Sequence, residues 1–135
     1  MSNTRPDDPN DTVITKTASC SVDDAVTKLC ELIESHGLAL FAIVDHGGEA
    51  RRIGLELRDM KVVIFGSPAS GTPVMQAVPL IAIDLPLKVL IWDDDGQTRI
   101  SFTAPEALGA RYNLNHELAQ RLMGIGPITD ALVAA

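Results

Sequence analysis

Leu87 to Trp92 and Thr98 to Thr103 are two strand-length runs that flank Asp93-Asp94-Asp95-Gly96-Gln97. An acidic turn carrying a glycine between such runs is a strong hairpin signal, because tight hairpin turns need residues that tolerate positive φ. A sheet containing this pair has at least one antiparallel ladder.

The other elements build around that hairpin. Thr12 to Thr17 is β-branched and predicts an opening strand. Ser21 is placed to cap a helix, and Asp23 and Asp24 suit the positive end of its dipole. Val22, Ala25, Val26, Leu29, Leu32 and Ile33 recur at helical spacing and form one apolar face. Gly37 follows as a left-handed stop. Leu38 to Val44 is nearly continuous in apolar residues and predicts a central strand, or one buried on both faces. Glu49 to Leu57 can hold a short helical turn, and Lys61 to Phe65 predicts the next strand. Thr72-Pro73 suits a helix start, and Pro79 should kink that helix or restart it. Pro105 to Tyr112, Asn115 to Met123 and Ile128 to Ala134 read as helices, the last two separated by Gly124-Ile125-Gly126-Pro127.

Strands and helices do not alternate regularly, so a doubly wound α/β fold is disfavoured. The order predicts the α+β class, with an antiparallel or mixed sheet of about five strands and helices on one face. Met1 to Asp11 has almost no apolar content and reads as a disordered arm, leaving residues 12–135 as one domain. A chain of 135 residues is long enough to bury a real core. Aromatic residues are only 4% of it, so that core must rest on Leu, Ile, Val, Ala and Met.

Charge and apolar patterning set aside some function classes. The net charge of -7 argues against non-specific binding to nucleic acid or to an anionic membrane. No apolar stretch reaches the roughly 18 residues of a membrane-spanning helix. Cytoplasm is the expected compartment, and Cys20 and Cys30 show neither metal nor redox spacing. His36, His46 and His116 form no HxH or HxxxH pair, so neither a metal nor a cofactor is expected.

Polar chemistry concentrates in three clusters: Asp45-His46-Gly47-Gly48, Phe65-Gly66-Ser67-Pro68-Ala69-Ser70-Gly71-Thr72, and Asp84-Leu85-Pro86-Leu87-Lys88. His46 beside Asp45 could act as a general base. The plainer alternative has Asp45 capping the glycine turn and His46 meeting a backbone carbonyl. Glu56 lies between two leucines and could face a pocket, though a solvated surface position is simpler. The second cluster lacks the lysine of a phosphate-binding loop, and Pro73 removes an amide. A ligand carboxylate held by Ser67, Ser70 and Thr72 remains open beside a structural turn. Asp84 and Lys88 could form an ion pair bracing the entry to the next strand. Met75 suits a core position.

Asp45-His46 with Ala50 and Gly54, Phe65-Gly66-x-Pro68, Gly71-Thr72 with Met75, and Asp84-Leu85-Pro86-Leu87-Lys88 together resemble domain of unknown function 302, an uncharacterised bacterial family. The similarity runs from about Thr12 to Tyr112. It implies a strand-helix-four-strand-helix plan, similar to the helix-grip arrangement of the TATA-binding protein, and a homodimer. It implies no activity. The chain departs from the family pattern at Ser67, where Asn is expected.

The favoured function is a small dimeric binding module whose mostly apolar pocket is edged by Asp45, His46, Glu56, Ser67, Met75, Asp84 and Lys88 and takes a small-molecule ligand. The alternatives are an enzyme using His46 for acid–base work, and a structural or protein-interaction domain.

Overall fold

The computed structural model describes residues 12–135, and the expected arm, Met1 to Asp11, lies outside them. In chain order the elements are β1 (Val13–Ala18), α1 (Val22–Ser35), β2 (Ala39–Asp45), α2 (His46–Arg52), β3 (Met60–Gly66), α3 (Pro68–Ala77), a 3-10 helix (Pro79–Ile83), β4 (Leu87–Asp94), β5 (Gln97–Thr103), α4 (Pro105–Arg111), α5 (His116–Gln120) and α6 (Ile125–Ala134). The five strands form one sheet in the order β1-β5-β4-β3-β2, antiparallel throughout. This is the α+β class, and the sheet is not mixed.

The β4–β5 hairpin closes on Asp94 paired with Gln97. Its two turn residues, Asp95 and Gly96, both have positive φ, 51° and 92°. That is the primed turn whose twist matches the flanking strands. Asp93 Oδ1 accepts from the Gly96 amide at 3.0 Å and holds the corner.

α1 carries the chain from one sheet edge to the other. Its 14 residues span about 21 Å, close to the roughly 19 Å across five strands. Ser21 accepts from the Asp24 amide at 3.1 Å and caps it. Beyond its last turn, Leu38 N donates to Ile33 O and Gly37 N donates to Glu34 O, both at 3.0 Å. Val22, Ala25, Val26, Leu29 and Ile33 of α1 are buried. With Ile125, Ile128 and Leu132 of α6 they pack on Val63, Phe65, Val89, Ile91, Ile100 and Phe102 of the sheet. Full burial of one such side chain contributes about 1.5–3 kcal/mol. A second, smaller core of Val74, Ile81, Leu85, Leu108 and Leu122 joins α3, the 3-10 helix, α4 and the segment after α5. Leu87 packs against both cores.

Three expectations are corrected. Leu38 to Val44 does not form a central or doubly buried strand: β2 lies at the sheet edge, and Leu40, Phe41, Ile43 and Val44 are exposed. An apolar run without alternation fits an edge strand as well as a buried one. α3 starts at Pro68 under a Ser67 cap, not at Thr72-Pro73. Ser67-Pro68 offers the same pairing of cap and N1 proline, and it comes first after the strand. α6 begins at Ile125, before the Gly126-Pro127 pair expected to interrupt the chain. The anticipated restart at Pro79 is the 3-10 helix.

Candidate functional site

A cavity of about 360 Å³ opens where β2 starts, β3 ends and β4 begins. The β2–β3 register builds it by pairing Ala39 with Gly66. A register shift between Leu40 and Ala42 leaves Phe41 as an extra, bulged residue, which re-aims its side chain. Gly66 lies between Phe41 and Pro86: a Cβ there would stand 3.9 Å from Phe41 Cε2 and 3.7 Å from Pro86 Cβ. Leu38, Phe41, Phe65, Met75, Leu85 and Leu122 supply most of the apolar lining. The polar lining is Ser67, Ser70, Thr72 and Arg121. No Asp or Glu lines the cavity.

The N-terminus of α3 supplies the hydroxyls. Ser67 Oγ accepts from the Ser70 amide at 3.2 Å, so its hydroxyl serves the helix cap first. The Leu85–Pro86 peptide is cis. Arg121 follows α5, whose start is capped by Asn115 accepting from the Leu118 amide at 2.9 Å.

Of the seven side chains predicted from sequence, Ser67 and Met75 line this cavity. Asp84 and Lys88 border a neighbouring recess of about 180 Å³. They do not form the expected ion pair. Lys88 Nζ donates to the carbonyls of Asp84 and Pro86, each at 3.0 Å. The Asp84 carboxylate instead accepts from the Tyr112 hydroxyl and lies 3.4 Å from Arg111 Nη1. Only three residues separate Asp84 from Lys88 in sequence, but Arg111 and Tyr112 reach it from the end of α4. The Asp84 hydrogen bond, helped by burial and by the carboxylate's charge, raises the Tyr112 pKa above the usual phenol range, with Arg111 opposing.

Asp45, His46 and Glu56 lie elsewhere. Asp45 Oδ1 accepts from the Gly48 amide at 2.9 Å and caps α2. A Cβ on Gly48 would fall 2.3 Å from Asp45 Oδ2, so the cap depends on glycine there. The plainer alternative for Asp45 therefore holds. His46 is the exposed first residue of α2, and its side chain makes no hydrogen bond to another described residue. Glu56 lines an open depression with Arg51, Leu57 and Arg58.

Sequence reasoning missed Leu38, Phe41 and Arg121 as lining residues. Phe41 was hidden by its apolar surroundings, and only the bulge exposes its role. Arg121 lies at the end of a helix whose pattern reported an apolar face. Among the described residues, no group of three or more His, Cys, Asp or Glu side chains is placed to hold a metal ion. Cys20 and Cys30 are free thiols, and burial raises the Cys30 pKa.

Comparison with known proteins places this geometry in context. Residues 14–127 match the model of a family described as domain of unknown function DUF302. Fluoride-specific ion channel FluC 1 from Brucella suis biovar 1 (strain 1330) is 32% identical over 122 residues, covering 87% of this chain and 48% of that relative. FluC 1 from Brucella abortus biovar 1 (strain 9-941) is also 32% identical over 122 residues, with 45% of its length covered. The chain thus spans about half the length of the curated relatives it matches. The crystal structure of an uncharacterized conserved DUF302 protein from Bacillus stearothermophilus superposes with a TM-score of 0.78 at 18% identity, covering 91% of this chain and 96% of that one.

Proposed function

We propose, from the premise that the chain belongs to the DUF302 family, that this domain is a binding module for a small molecule of mostly apolar character. The cavity between β2, α3 and the Leu85–Leu87 segment carries the proposal. Its volume of about 360 Å³ lies at the small end of the roughly 300–1,000 Å³ typical of ligand sites. Its lining has the usual composition of such sites, mostly apolar residues with a few polar ones. Of the polar residues expected at the rim, Ser67 remains in this reading.

Native mass spectrometry of freshly purified protein tests it. Gly71→Leu is the matched control, because a Cβ on Gly71 would meet only the Met75 methyl, at 3.8 Å. The added side chain would fill the cavity from α3. A small-molecule adduct on the natural chain, lost from Gly71→Leu, is the expected result. An adduct that persists in the variant would place the ligand elsewhere.

The Brucella relatives are fluoride channels by name, but conduction is not part of this proposal. No helix among the described residues is long and apolar enough to cross a membrane. The alignment covers under half of each channel. We infer that the shared part is a domain appended to the conducting part. The free Cys20 and Cys30 suit a reducing, cytoplasmic compartment.

A homodimer through β2 is part of the same reading. The outer edge of β2 carries no charge from Ala39 to Val44, although edge strands are commonly guarded by charge. Two such edges are self-complementary under two-fold symmetry. Acid–base work by His46 draws no support, since the Asp45 carboxylate that would orient it is engaged by Gly48.

A further inference from the structure

We infer that the ligand of this cavity is a small monocarboxylic acid with an apolar body, its carboxylate held by Arg121 with the Ser70 and Thr72 hydroxyls. The inference rests on the binding-module reading and names its ligand class.

Arg121 differs from the other described arginines. Arg51, Arg52, Arg58, Arg99 and Arg111 each stand within 4 Å of a carboxylate, at 3.6, 3.5, 3.8, 3.0 and 3.4 Å. Among the described residues Arg121 has no carboxylate or carbonyl partner for its guanidinium, in a chain with 18 acidic and 11 basic residues. It lines a cavity that no acid lines. Arg121 is the one charged residue of that lining, in a protein of net charge -7. A cation beside an apolar surface draws an anion.

The hydroxyls complete the site. The side chains of Ser70 and Thr72 line the same cavity and make no hydrogen bond to any described residue. Both belong to the first half of α3, whose dipole adds positive potential at its start. A guanidinium presents a planar pair of donors that matches a carboxylate in bidentate fashion. The rest of the lining, with Phe41, Phe65, Leu85 and Leu122, offers no second charged group. A dianion or a zwitterion would leave one charge facing hydrocarbon, which is costly. The small volume sets the limit on the apolar body.

Isothermal titration calorimetry with matched probes tests this on the intact chain. The acids are octanoate and 3-phenylpropanoate, and each neutral counterpart is the alcohol of the same chain, octan-1-ol and 3-phenylpropan-1-ol. At least one acid should bind about tenfold or more tightly than its alcohol, and Arg121→Gln should reduce the acid's affinity to that of the alcohol. Arg121 is exposed, so this variant is expected to fold. If acid and alcohol bind equally and Arg121→Gln changes neither, the carboxylate assignment is overturned and the apolar pocket stands. If acid binding exceeds alcohol binding but is untouched in Arg121→Gln, Arg121 is not the anchor and the site as drawn is wrong. If no probe binds, while the native protein also carries no adduct, both the ligand class and the binding-module reading fail.

Discussion

His46 and Ser67 stand at opposite ends of the antiparallel β2–β3 pair: Asp45 pairs with Lys61 at the His46 end, and Ala39 pairs with Gly66 at the Ser67 end. The five steps along β3 from Lys61 to Gly66 amount to about 17 Å. No small ligand in the Ser67 cavity reaches His46. His46→Ala should therefore leave ligand retention in native mass spectrometry unchanged, and stability within about 0.5 kcal/mol, as for other exposed sites without partners. Loss of the adduct in this variant would show that the two ends of the β2–β3 pair are coupled.

That separation marks the limit of what the sequence shows. Local signals carry the fold well. The acidic glycine turn specifies the β4–β5 hairpin, and Ser21 with its apolar stripe specifies α1, because caps and periodicity act within a few residues. Strand position is not local. A strand forms there as expected, β2 at Ala39–Asp45, but its place at the edge depends on β5 returning to pair with β1. The site suffers in the same way. Three polar clusters that look continuous along the chain are distributed over both ends of the sheet. Arg121, well over a hundred positions into the chain, joins Phe41 at the cavity only through tertiary packing.

The Tyr112–Asp84 contact predicts an alkaline titration. Tyr112 is the only tyrosine of the chain, so phenolate absorbance reports it alone. Its pKa is raised chiefly by the hydrogen bond to Asp84. A raised value means the contact contributes fully below the unfolded phenol's pKa and is lost as pH rises through the folded one. Asp84→Asn removes the negative charge and leaves Arg111 beside the phenol, so the titration should move to lower pH. Identical curves for the natural chain and Asp84→Asn would exclude the contact in solution.

Edge pairing by β2 predicts a dimer that one charge disrupts. Val44 is 37% exposed and lies on an edge strand, so lysine there costs the monomer little. In analytical ultracentrifugation the natural chain should sediment as a dimer and Val44→Lys as a monomer with the same melting temperature. A natural chain that is monomeric throughout would remove the dimer from the proposal. Persistent dimerisation in Val44→Lys would move the interface to another surface.

The Lys16 side chain is 19% exposed and pins α6 onto β1. Its Nζ donates to Thr129 Oγ1 at 2.6 Å, to Asp130 Oδ1 at 2.7 Å and to the Gly126 carbonyl at 3.1 Å. The ammonium also stands 5.2 Å from the centre of the Phe102 ring. Two partners differ in their surroundings: Thr129 is fully buried, whereas the Asp130 side chain is 72% exposed. Solvent screens the ion pair, so removing its charge by Asp130→Asn should cost less than about 1 kcal/mol. Lys16→Met keeps the apolar stem against Phe102 but deletes all three donors, and should cost about 1–3 kcal/mol. Urea denaturation of the two variants separates the contributions. Equal losses would assign the stabilisation to the ion pair, and added salt would then weaken the natural chain to the same extent. A larger loss in Lys16→Met that is insensitive to salt would assign it to the Thr129 and Gly126 contacts, which hold α6 over the β1 edge of the sheet.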